Sequence, residues 1–323
     1  MKFLDKIEPL LLLTAVAFGL ILQTSSFISH MAKVFISPFL IFMLFGLFWE
    51  APLKDIRKSF SNVKFTVTAL AINFIWTPIF AWILVMLFMG YSPLLGLGFI
   101  MLLVTPCTDW YLVFTGMAKG NLNLSISILP VNLLLQMILL PVYILIFSGK
   151  AVDINMFLVG KSMLLTLIIP FALAKLLKLL FAKYHADTGL LENLIIKRQF
   201  FWLWLSITMM FASEKIIGEG YLMIFLIILI PTTLFFLVNF YLGRFVSNQM
   251  GFSKENSVSL IFTTLARNSP LSLAFAQLAF PADRQVLLPL IIGPLIELPI
   301  LALMAQAILV VFNDQGKKTR KEY

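Results

Sequence analysis

Thr105-Pro106-Cys107-Thr108-Asp109-Trp110 interrupts one apolar run, and Thr264-Leu265-Ala266-Arg267-Asn268-Ser269-Pro270 interrupts another. The runs, at about 93–118 and 255–280, are otherwise long and apolar enough to be membrane helices, which need ~20 such residues. Each places a charge, Asp109 or Arg267, at hydrocarbon depth, where it costs at least ~2.5–3.5 kcal/mol unless paired or hydrated. A proline lies three residues from each charge, Pro106 before Asp109 and Pro270 after Arg267.

The rest of the chain resolves around these two breaks. Of 323 residues, 61% are apolar and 12% charged, which leaves too little polar surface to cover a water-soluble globule. Ten apolar stretches follow one another, at about 8–29, 34–50, 65–90, 93–118, 121–147, 153–183, 193–213, 220–246, 255–280 and 284–312. The first lacks a small-residue cleavage site and reads as a spanning helix. Each break falls in the fourth stretch of a five-stretch half, 1–148 or 151–313, ahead of a basic tail at 314–323. Five is odd, so two similar halves insert with opposite orientation. The expectation is an all-α protein of ten transmembrane helices in two inverted five-helix repeats. Matched interruptions in inverted repeats are the best sequence pointer to a secondary transporter's binding site, where half-helix ends offer unpaired backbone groups.

The basic residues orient the chain. With ten spans, 18 of the 24 lysines and arginines fall on the side of the two termini, five fall on the other, and Arg267 lies inside a span. The positive-inside rule then places both termini in the cytoplasm, in a multi-pass plasma or inner membrane protein embedded in the lipid bilayer. The same rule accounts for the tail Lys317–Lys321, so no nucleic-acid partner is invoked.

Other chemistries find no footing. A single cysteine, Cys107, and two distant histidines, His30 and His185, exclude a disulfide framework and a Cys/His metal centre; no cofactor is implied. Gly160-Lys161-Ser162 resembles the end of a phosphate-binding loop, but Asn155 stands where its first glycine belongs. Only Asp109 with Cys107 offers any semblance of a catalytic dyad, so the chain does not read as an enzyme. Pro38, Pro78, Pro141, Pro170 and Pro231 read as architectural kinks.

At the breaks the sequence resembles a superfamily, the bile-acid:sodium symporters and the related arsenite permeases. Pro106-Cys107-Thr108, with Lys119-Gly120 thirteen residues on, is similar to the permeases' P-C-T…K-G, and Cys107 falls on their functional cysteine. Asp109 stands where the permeases have alanine, and their glutamate in the ninth span falls on Pro270. Arg267-Asn268-Ser269-Pro270-Leu271 resembles the symporters' Q-N-S-G-L, with arginine replacing a sodium-binding glutamine. Asn73-Phe74-Ile75-Trp76-Thr77-Pro78 is similar to their Q-F-x-x-x-P. Their remaining sodium ligands fall on Tyr111, Leu112, Leu129 and Thr263, and only Ser125 survives. The resemblance implies a panel domain (about 8–50 and 153–213) moving against a core domain (about 65–147 and 220–312), in which helices four and nine cross at their unwound centres. It also implies that the usual two-sodium coupling is lost.

The function expected is secondary transport by alternating access. Substrate would bind against Thr105, Cys107, Thr108, Asp109, Arg267, Asn268 and Ser269, with Asp109, Asn73, Ser125, Thr263 and Glu297 as candidate coupling groups. Asp109 is the candidate proton carrier, and Glu297, between Pro294 and Pro299, is either a coupling group or a packing residue. The arsenite-permease-like cysteine makes arsenite or antimonite export the leading substrate. Uptake or exchange of a small organic anion is the alternative, and a non-transporting sensor or scaffold is a third. Monomer and homodimer stay open. The orientation is tested by cysteine accessibility labelling: residues 57 and 320 should react from the same, cytoplasmic side, and opposite sides would overturn the span count.

Overall fold

The computed structural model describes residues 14–51 (without 16), 57, 60–108, 110–148, 155–184, 187–194, 198–213, 221–281 and 283–319. A helical stretch ending at Leu22 leads into α1, Ser26–Glu50. There follow α2, Val63–Phe88, with a π turn at Ile72–Trp76; α3, Pro93–Leu103; α4, Trp110–Met117; and α5, Leu122–Phe147. Next come α6, Met156–Tyr184; α7, Gly189–Leu194; α8, Gln199–Ala212; and α9, Tyr221–Gln249. The chain closes with α10, Lys254–Leu265; α11, Ser269–Ala279; and α12, Arg284–Thr319.

Among the described residues, six helices are long and apolar enough to cross a membrane: α1, α2, α5, α6, α9 and α12. The stretches expected at 93–118 and 255–280 are each two helices separated by a break, α3/α4 and α10/α11. Large apolar side chains face outward, with Phe157 76% and Leu87 71% exposed. Such a surface suits lipid, in which every backbone polar group must find its partner within the protein, and helices provide that.

One boundary differs from the sequence reading. The first two stretches were expected at 8–29 and 34–50, divided near His30 and Lys33. The structure turns at Gln23–Thr24 instead, where the Thr24 hydroxyl donates to the Ile21 carbonyl at 2.9 Å. The polar run Gln23-Thr24-Ser25 ends the helix by offering its backbone local partners, whereas one exposed histidine inside α1 does not interrupt the ladder.

α1 packs along α8 and α6. Phe39 and Phe42 meet the Trp202 ring, and Phe48 meets Phe171 edge-on. Lys175 and Lys178 of α6 donate from Nζ to the carbonyls of Ala51 and Trp49, both at 2.8 Å. Two cations thereby satisfy the negative C-terminal end of α1. A second group of contacts runs through α3 against α12, α9 against α10 and α12, and α5 against α3, α4 and α10. The two groups meet where α11 packs on α1 and α6.

Gly98 sets the closeness of α3 to α12. A Cβ there would lie 2.1 Å from the carbonyl oxygen of Val286, a backbone atom that cannot swing aside. Gly98→Ala should therefore force α3 off α12 at a cost of about 1–3 kcal/mol. A melting temperature in detergent equal to the parent's would refute that close approach.

Candidate functional site: two helix breaks joined at an arginine

The two breaks hydrogen-bond to each other. Cys107 N–H donates to the Ala266 carbonyl at 2.9 Å and Asn268 N–H to the Thr105 carbonyl at 2.7 Å, so Pro106 and Arg267 face each other as one antiparallel pair. Proline can occupy this place because the two bonds flank the Pro106–Arg267 pair, and its missing N–H is not called upon.

α3 and α10 both end at this crossing, each leaving four carbonyls without intrahelical donors. At the end of α3, Val104 N–H takes the Ile100 carbonyl at 2.9 Å. The Thr105 hydroxyl reaches the carbonyls of Met101 and Leu102 at 3.1 and 3.3 Å, and Ser272 Oγ also reaches Met101 at 2.9 Å. Arg267 Nη1 donates to the Leu103 carbonyl at 2.9 Å. At the end of α10, Ala266 N–H takes Phe262 at 3.1 Å and Asn73 Nδ2 takes Thr263 at 3.2 Å. Arg267 Nη2 donates to the Thr264 carbonyl and Arg267 Nε to Leu265 at 2.9 Å.

Arg267 is thus the shared cap of two half-helices. Its planar fork of donors is directed at carbonyls from both, at the negative ends of both helix dipoles. Asn73 Oδ1 accepts from Nη2 at 3.4 Å, and the guanidinium carbon lies 5.1 Å from the centroid of the Phe235 ring on α9. Glu297 Oε1 of α12 accepts the backbone N–H of Arg267 at 2.7 Å. Buried within the protein, the charge is held by oxygen atoms on several sides and an aromatic face on another.

The expected site residues separate into distinct roles. Thr105, Cys107, Thr108, Arg267, Asn268 and Ser269 are all buried at the crossing. The Thr105 hydroxyl, besides the carbonyls of Met101, Leu102 and Asn268, lies 2.9 Å from the hydroxyl of Ser272, a residue that sequence reading did not single out. Asn268 Oδ1 accepts the N–H of Leu271 at 3.2 Å and so caps α11, while its Nδ2 has no partner among the described residues. Asn73 and Glu297 hold Arg267 in place. Ser125 and Thr263 are buried, with hydroxyls lacking a partner among the described residues. Asp109 lies outside the described residues. The sequence reading had the half-helix ends offering unpaired backbone to a substrate; instead, the C-terminal ends of α3 and α10 are closed by Arg267 and its neighbours.

Phe235 was also missed. One phenylalanine among 32 carries no signal until its ring is seen over a guanidinium. Ser272, three residues beyond Ser269, was visible as a small polar residue one helical turn into α11.

The chain is similar in sequence to a known family and to individual proteins. The family model described as "Sodium Bile acid symporter family" matches residues 37–217. An uncharacterised Bacillus subtilis protein, YbaS, is 26% identical over 292 residues, covering 90% of this chain and 92% of the relative. The arsenical-resistance protein Acr3 of Corynebacterium glutamicum is 24% identical over 335 residues, covering 95% of this chain and 89% of the relative.

Removing the guanidinium should undo the crossing. Arg267→Met leaves the Leu103, Thr264 and Leu265 carbonyls buried without donors, at about 1–3 kcal/mol each. The melting temperature in detergent should fall sharply, with partial recovery in Arg267→Lys, whose single ammonium cannot span all three. Glu297→Gln, which keeps an acceptor for Arg267 N–H, should cost little. An Arg267→Met protein as stable as the parent would show that the cap is dispensable.

Proposed function

This chain belongs to the sodium bile acid symporter family, and from that premise we propose that this membrane transporter is a secondary active carrier of a metalloid oxyacid. It works by alternating access, with export of arsenite or antimonite as the leading substrate. In this reading ten helices form two inverted five-helix repeats, 1–148 and 151–313. A panel of α1, α6, α8 and the helix before α1 rocks against a core built on α2–α5 and α9–α12. The packing of α1 with α8 and α6, apart from the group around α3, α10 and α12, supports that division.

The observation that carries the coupling argument is the engagement of Arg267. A cation at this crossing would need oxygen ligands, and the guanidinium already takes the carbonyls of Leu103, Thr264 and Leu265 with Asn73 Oδ1. A sodium ion placed there would meet a fixed positive charge. Transport is accordingly independent of sodium at this position, and Asp109 is the group proposed to carry a proton.

The same engagement weighs against an organic anion. A carboxylate would recruit the Arg267 donors, and four of its N–H groups already bond the Leu103, Thr264 and Leu265 carbonyls and Asn73 Oδ1. Cys107 supports the metalloid instead: it lies buried beside the break, its N–H bonded to the Ala266 carbonyl of the other break. The Cys107 sulfur would replace one hydroxyl of As(OH)3, which leaves as water with the thiol proton, and a single such exchange is readily reversed, as a carrier requires. The relative named for arsenical resistance adds to this reading.

Everted vesicles containing the protein should accumulate arsenite, and replacing sodium by choline should leave the rate unchanged. Cys107→Ser should abolish arsenite accumulation with the protein present at the parent's level in the membrane. A steep, saturable sodium dependence would overturn the coupling argument, and undiminished transport by Cys107→Ser would remove the thiol from the site.

A further inference from the structure

One face of α5 carries chemistry that the crossing does not use. Ser125, Asn132, Gln136 and Tyr143 are separated by 7, 4 and 7 residues, which places them within about 20° of one line along the helix. The two ends of this line are tied down. Tyr111 of α4 donates its hydroxyl to the Ser125 carbonyl at 2.8 Å. Tyr143 donates to the Phe74 carbonyl at 2.7 Å, beside the Asn73 that contacts Arg267.

The middle of the line is different. Asn132 and Gln136 are both 0% exposed, and all four of their amide atoms lack a hydrogen-bond partner among the described residues. Buried side-chain polar atoms in native proteins are nearly always partnered, and within a membrane no bulk water makes up the difference. Two adjacent carboxamides, one helical turn apart and both unpartnered, mark a place where something else supplies the bonds.

The chemistry of the pair says what that is. Each carboxamide has an acceptor oxygen and two N–H donors, and α5 contains no charged residue between Leu122 and Phe147. No group on α5 would neutralise an ion there, which would carry a large desolvation cost. A hydroxyl group both donates and accepts, so a small molecule with several hydroxyls matches both ends of both amides. We propose that Asn132 and Gln136 form a binding position for an uncharged hydroxylated solute, each ligand O–H donating to an amide oxygen while its oxygen accepts from an amide N–H. This rests on the transporter reading above and specifies its substrate: a metalloid acid would be recognised here as the neutral trihydroxide.

The test uses the full chain in detergent, with millimolar arsenous acid, boric acid or glycerol as probes and sulfate and acetate as charged comparators. A ligand that binds only the folded protein raises its melting temperature. At least one neutral probe should do so for the parent and not for Asn132→Leu/Gln136→Leu, while the charged comparators shift neither. In vesicles, Gln136→Met should raise the KM for arsenite about tenfold, the loss of roughly one to two hydrogen bonds. If the double variant does not reach the membrane, Gln136→Met, which keeps the side chain's length, gives the same melting comparison. No shift from any neutral probe, or an equal shift in parent and variant, would overturn the inference; the latter would also be the result if ordered water alone filled the place. Shifts from boric acid or glycerol that the variant loses, in a protein that moves no arsenite, would sustain this binding position and overturn the metalloid reading.

Discussion

The Arg267 guanidinium is the interaction on which the centre of this protein depends. A helix that stops inside a membrane leaves carbonyls with neither backbone nor solvent to bond, and here two helices stop at one place. One side chain with donors in a planar fork reaches carbonyls from both. Its charge is set against the negative ends of both helix dipoles, so the two breaks favour the cation and the cation favours the breaks. Asn73, Glu297 and Phe235 then fix the arginine from α2, α12 and α9, which makes the crossing a junction of most of the core.

That junction also explains the residues around it. Pro106 is tolerated because it occupies the unbonded pair of a minimal antiparallel bridge. Thr105 and Ser272 take the carbonyls that Arg267 does not reach, and Asn268 starts α11 while its N–H secures Thr105. Polar residues that would each be expensive in hydrocarbon are inexpensive together, because each closes a bond that another leaves open.

How much of this was legible in the sequence divides along physical lines. Helix breaks are local events, and a charge with a proline three residues away in an apolar run announces one, so both breaks were found. The division between the first two stretches was misplaced because a lone histidine looks like a break in hydropathy while the chain reads it as a surface residue of α1. What Arg267 bonds to was not legible, since its partners are backbone carbonyls, which every residue carries and no residue type reveals. The sequence suggested a charge awaiting a substrate; the structure places the backbone carbonyls of Leu103, Thr264 and Leu265 around it, and no side chain announces those. Asn132 and Gln136 were readable as polar residues in an apolar helix, but their importance lies in bonds they lack, which only packing exposes.

A tethered cation has consequences for energetics that a bound ion does not. A diffusible ion binding at such a crossing carries the free energy of its gradient into the cycle and leaves on the other side. The guanidinium of Arg267 supplies the same electrostatic stabilisation to the half-helix ends but cannot dissociate, so no gradient acts through it and its charge is constant throughout the cycle. That charge repels a second cation placed beside it, and the N–H groups bonded to Leu103, Thr264, Leu265 and Asn73 are not free to hydrogen-bond an anion. Any ion gradient coupled to the movement of a solute must therefore act at a group other than this guanidinium.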